Sequence, residues 1–88
     1  MRWSVKKLYE EYKKMEESED RSLAEEVYKM NYTEVNFVLI QTVKAFIEKY
    51  DSHLDSLYAK AKHCGVHTET YKRHYAAYVE VYGTDNLK

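Results

Sequence analysis

Four residues with metal-binding or nucleophilic side chains fall in the C-terminal third of the chain: His63, Cys64, His67 and His74. Zinc takes three or four such ligands converging on a tetrahedron. Gly65 interrupts any helix between Cys64 and His67, so that pair does not form an ordinary helical ligand pair. His74 lies seven residues past His67, about 10 Å along a helix. This spacing predicts no metal and no cofactor, and Cys64 reads as a small apolar residue. Adjacent carboxylates such as Glu16 and Glu17 sit in a lysine-rich stretch, which predicts a solvated face rather than general acid–base chemistry. A glycine-rich phosphate loop and a Gly-x-Ser-x-Gly elbow are both lacking, and no enzyme activity is expected. Ten tyrosines offer base-stacking surfaces. Yet Tyr71, Tyr75, Tyr78 and Tyr82 recur at spacings of four, three and four, one face of a helix. Packing, with hydroxyls reaching the rim, is the expected role, and Trp3 is expected to anchor in the same way.

Binding chemistry is concentrated between residues 57 and 73. The segment runs Leu57-Tyr58-x-x-Ala61-x-x-x-Gly65-Val66-x-x-x-Thr70-x-x-Arg73. A small residue at Ala61 allows two helices to approach closely, and Gly65 can take the left-handed conformation that ends the first of them. The pattern resembles the helix-turn-helix of lac-repressor-type regulators and is similar to that of many phage and plasmid regulators. It departs from them in having His67 where Ser or Thr usually caps the second helix, Tyr71 in place of a branched aliphatic residue, and Cys64 in place of Ala or Leu. It also stands near the C-terminus rather than at the N-terminus, so the resemblance extends to the motif and not to a ligand-binding domain. The resemblance implies that the second helix enters a DNA major groove. His67, Thr68 and Glu69 would then lie at its N-terminal end, closest to base edges, with Lys72 and Arg73 a turn later on bases or phosphates. Tyr58, Lys60 and Lys62 on the preceding helix would meet the DNA backbone.

Charge is distributed unevenly. The formal net charge is -1, but residues 10–26 hold eight acids, whereas residues 57–74 hold Lys60, Lys62, Lys72 and Arg73 against Glu69 alone. His63, His67 and His74 are expected to add positive charge below neutrality. The modest basic excess predicts modest phosphate affinity per monomer.

The elements that must position these residues are helical. With 88 residues, no proline and only two glycines, the chain reads as one small all-α domain of four to five helices, 1–50 forming a scaffold and 53–83 the helix-turn-helix. A first helix is expected over about 4–18, with Val5, Leu8, Tyr12 and Met15 inward. Ser22 with Glu25 predicts the cap of a second helix presenting Leu23, Val27, Tyr28 and Met30 to the core. Asn31 with Glu34 predicts the cap of a third helix running to about residue 50, unless the second and third form one helix bent near Asn31. Its expected inner face is Val35, Val38, Leu39, Thr42, Phe46 and Ile47, with Val43 beside them. A fourth helix over 53–64 would present Leu54, Leu57, Tyr58 and Ala61, and a fifth begins after His67. A single cysteine, the absence of a signal-peptide pattern and the polar interruptions in the apolar stretch 35–47 predict a cytoplasmic protein with no membrane association.

The expected function is that of a small regulator or mobile-element protein binding double-stranded DNA, with a homodimer suiting a palindromic site. The alternative is a helical protein–protein interaction module, an inhibitor or adaptor, meeting its partner through the acidic residues 10–26.

Overall fold

The computed structural model describes residues 4–85 and Leu87, so the anchoring expected of Trp3 lies outside the described residues. They form five α-helices and no strand: α1 (Val5–Glu16), α2 (Arg21–Tyr32), α3 (Glu34–Lys49), α4 (Leu57–Cys64) and α5 (Thr68–Tyr82). A 3₁₀ turn, Asp51–His53, follows α3. The domain is all-α, as composition predicts. No helix among the described residues is long and apolar enough to cross a membrane.

Helix α1 begins where Ser4 accepts the amide of Lys7 at 3.1 Å, which satisfies one of the first-turn donors a helix leaves open. Leu8, Tyr9, Tyr12 and Met15 form its buried stripe. Helix α2 starts two residues earlier than expected. Asp20, not Ser22, caps it, accepting from Leu23 at 3.1 Å. Its inner face also differs from the expected one: Tyr28 is buried, whereas Leu23, Val27 and Met30 are exposed. The Tyr28 hydroxyl donates to the Leu8 carbonyl at 3.2 Å. Burying that large ring with its polar tip satisfied turns the neighbouring aliphatic stripe to solvent.

Helices α2 and α3 are separate. Thr33 stands between them at φ 69°, ψ 150°, and its hydroxyl caps α3 by accepting from Asn36 at 3.2 Å. The cap is therefore Thr33 rather than Asn31. Phe37, Ile40, Val43, Phe46 and Ile47 of α3 are buried. Val35, Val38 and Thr42, expected inward, face out, and Leu39 is half-buried. Apolar residues surround most of this helix, so periodicity alone does not select a face. The larger Phe37 and Ile40 take the interior, each able to remove more apolar area from water than Val or Thr.

Helix α4 is shorter than expected, opening only at Leu57, where Ser56 accepts from Ala59 at 3.3 Å. Ala61 is buried, but Leu57 and Tyr58 face solvent rather than the core. Helix α5 buries Tyr71, His74, Ala77 and Tyr78. It packs against α1, α3 and α4, so the core lies along the inner face of this last helix.

Candidate nucleic-acid interface

The connection between α4 and α5 is three residues, Gly65, Val66 and His67. Gly65 takes φ 74°, ψ 29°, the left-handed region. Its amide donates to the Lys62 carbonyl and that of Val66 to Ala61, both at 3.0 Å. These two bonds are the Schellman closure, which satisfies carbonyls that a helix end otherwise leaves open. The buried Ala61 lies in the turn this closure completes, and Val66 packs against the core.

Helix α5 divides its residues between two faces. Tyr71 and Tyr78 are buried and Tyr75 and Tyr82 half-buried on one; Glu69, Lys72, Arg73, Ala76 and Glu80 are exposed on the other. His67 occupies the cap position in extended conformation but makes no side-chain hydrogen bond there. On the α4–α5 pair His67, Glu69, Lys72, Arg73, Tyr58 and Lys62 are exposed and Thr68 is half-buried; Tyr58, Lys62, His67 and Thr68 share one groove, whereas Lys72 and Arg73 line two others. Lys72 is 3.8 Å from Glu69 and well exposed, a pairing of little energetic weight. The Lys62 ammonium lies 5.9 Å from the Tyr58 ring centroid. Arg73 shares a shallow groove with Val5 and Lys6 of α1, where Lys6 pairs with Glu80 at 3.6 Å. Lys60 lines a groove with Lys72 but is engaged within the fold. Its ammonium is half-buried and 3.2 Å from Asp51, which also accepts the Tyr71 hydroxyl at 2.5 Å. Burial, and next the Asp51 carboxylate, hold the Tyr71 hydroxyl well above its ordinary pKa, so the ring keeps its proton and donates it.

Of the histidines expected to add positive charge, His74 differs. His74 is buried, and burial pushes its pKa down to about 4, so it adds no charge to the surface near neutrality. His63 lays its ring near Phe46, with centroids 4.9 Å apart. The Cys64 thiol is half-buried and pushed up to about 11, by burial first and then by Asp51. It is a poor nucleophile on that account. Among the described residues no three His, Cys, Asp or Glu side chains converge as a metal site would require.

The acids of residues 10–26 do not form one open surface. Glu11 pairs with Lys14, Glu25 with Lys29 and Glu16 with Lys44, and Asp20 caps α2. Glu16 in particular is not a solvated surface charge. It accepts the Tyr82 hydroxyl at 2.5 Å and meets Lys44 at 3.4 Å, while Lys44 reaches Glu48 at 3.1 Å and Glu48 accepts from Tyr78 at 2.7 Å. This polar network joins α1, α3 and α5, and sequence reasoning did not find it. The available signal was Lys44, a cation inside the most apolar stretch of the chain with Glu48 one turn on.

The chain matches no protein-family model, no curated protein and no solved structure. A functional reading therefore depends on its own geometry.

Proposed function

We propose that the α4–α5 pair is a helix-turn-helix and that the protein binds double-stranded DNA by laying α5 in the major groove. The observation that carries this reading is the left-handed Gly65, which closes α4 three residues before α5 begins, with the outer face of α5 bearing Lys72 and Arg73. A short glycine-containing turn between two helices, the second of them presented outward, is the geometry by which such motifs dock. Thr68 and Glu69 would reach base edges, the glutamate accepting from a cytosine amine. Lys72, Arg73 and Lys62 would meet phosphates or guanine, and Tyr58 the backbone. Lys60, committed to Asp51, would act by fixing Tyr71 and hence α5 rather than by contact with DNA. A small regulator or a phage or plasmid protein would use such a surface.

Titration of a fluorescent mixed-sequence duplex with the full chain tests the reading. Affinity should fall steeply as salt rises, because phosphate contacts release counterions. Lys72→Glu with Arg73→Glu should abolish binding, and Glu17→Lys, at an exposed acid, should not. A wild type that leaves the duplex unbound even in low salt would overturn the reading. The protein-partner alternative draws on a different observation, the exposed Leu23, Val27 and Met30 stripe of α2 with Glu19 and Glu26 beside it. Co-purification from the native host that Leu23→Asp abolishes would favour it.

A further inference from the structure

Helix α3 carries a solvent face poor in charge. Its exposed residues are Glu34, Val35, Val38, Gln41, Thr42, Ala45 and Lys49. Only the first and last of these are charged, and their signs are opposite. The exposed sides of α1 and α5 carry charges along their length instead, among them Lys6, Lys7, Glu10 and Lys14 on α1 and Glu69, Lys72, Arg73 and Glu80 on α5. Val35 is 77% exposed and Val38 52%. A surface helix ordinarily turns charged residues to water, and depletion of charge is the compositional mark of an interface core.

The spacing of this face and its two end charges suit a second copy of the same helix. Val35, Val38, Thr42, Ala45 and Lys49 follow one another at three, four, three and four residues, the seam of a two-helix coiled coil. We infer that α3 is a homodimerisation helix and that it pairs antiparallel with α3 of a second copy. In an antiparallel seam Val35 meets Ala45 of the second copy and Val38 meets its Thr42, so one layer sets a larger side chain against a smaller one and the other pairs two branched side chains of the same shape. Lys49 then falls just beyond the N-terminus of the second copy's α3, about 4.5 Å along the axis from its Glu34 at standard rise. Two opposite charges meet at each end of the pair. A parallel seam would instead set Glu34 on Glu34 and Lys49 on Lys49, repulsive at both ends. Beside the seam, Leu39, Cys64, Gly65 and Val66 line a groove shared with Val35 and Val38, which gives the second copy's side chains a recess to enter.

Sedimentation equilibrium of the full chain without nucleic acid tests the inference separately from the DNA reading. A single helix pair gives a modest interface, so the apparent mass should climb from 10.6 kDa toward twice that value over the range from about 5 µM to 500 µM. Val38→Glu should remain at the monomer mass with an unchanged circular dichroism spectrum, since Val38 is exposed in the single chain. Glu34→Lys and Lys49→Glu should each weaken association about threefold, and combining them should restore it. A wild type that stays monomeric throughout, or a dimer indifferent to Val38→Glu, overturns the inference. A paired charge swap that fails to recover what the single changes lose overturns the antiparallel register.

Discussion

The hydroxyl of Tyr9 lies 2.8 Å from Nδ1 of His74, joining the first and last helices across 65 positions of sequence. The rings meet edge to face at 80°, with centroids 5.4 Å apart. Tyr9 is wholly buried, and burial holds its pKa well above the ordinary value, so the bond joins a neutral phenol to the imidazole, its direction set by the imidazole tautomer.

Stability should depend on pH through this contact. The folded state holds His74 near a pKa of about 4, whereas an unfolded histidine titrates near about 6.5. Between those values the unfolded chain binds more protons, so stability is full above the upper one and is lost as pH falls through the window. The loss amounts to as much as ~3 kcal/mol. Urea unfolding at a series of pH values measures it. His74→Leu should be less stable at neutral pH and should flatten the dependence over this range; an unaltered slope would remove His74 as its source.

Gly65→Ala should destabilise through the backbone alone. A Cβ added at Gly65 meets nothing within 4 Å, so no clash contributes. The left-handed conformation at φ 74° remains, and it costs an alanine about 1–2 kcal/mol. Denaturant midpoints should show that loss with an unchanged slope, and Gly65→Asn should lose less. Equal stability of the alanine variant would mean that the turn has another conformation.

His67 leaves the start of α5 without a side-chain cap. His67→Ser should therefore stabilise the protein by about 1 kcal/mol, the usual worth of a hydroxyl at this position. Thermal melting reads the gain directly. A melting temperature at or below that of the wild type would show that the imidazole is held by something a serine cannot replace.

Lys44→Met should cost more than its exposed neighbours suggest. The ammonium lies 3.4 Å from Glu16 and 3.1 Å from Glu48, and its side chain is only 15% exposed. Removing it leaves two half-buried carboxylates facing each other, at about 2 kcal/mol. Adding Glu16→Gln and Glu48→Gln to the same variant should recover part of the loss. A single variant as stable as the wild type would reduce the network to surface decoration.

The helices themselves were legible in the sequence because local chemistry marks them. Ser4 caps α1, Gly65 ends α4, and the tyrosine spacing identifies the inner side of α5. Caps were less legible where two candidates competed. Asp20 and Ser22 both suit the start of α2, and Asn31 and Thr33 both suit the start of α3. Thr33 is chosen although φ 69° is unusual for a branched residue, and its cap on Asn36 and the Asn36 side chain on the Tyr32 carbonyl brace that junction. The rotation of α3 was hidden because apolar residues on both sides satisfied the periodicity. For the candidate interface, exposure of Glu69, Lys72 and Arg73 followed from the tyrosine stripe. The diversion of Lys60 to Asp51 did not, since it joins α4 to a turn nine residues earlier and leaves no local trace.

Three tyrosines of α5 each donate a hydrogen bond to a carboxylate on a different element: Tyr71 to Asp51 of the 3₁₀ turn, Tyr78 to Glu48 of α3 and Tyr82 to Glu16 of α1. The helix is thus moored near its start, its middle and its end. A ligand settling on its outer side meets a preorganised rod and spends little conformational entropy in ordering it. Stopped-flow association with this side should accordingly be one exponential phase, with no concentration-independent step in which the helix must first assemble.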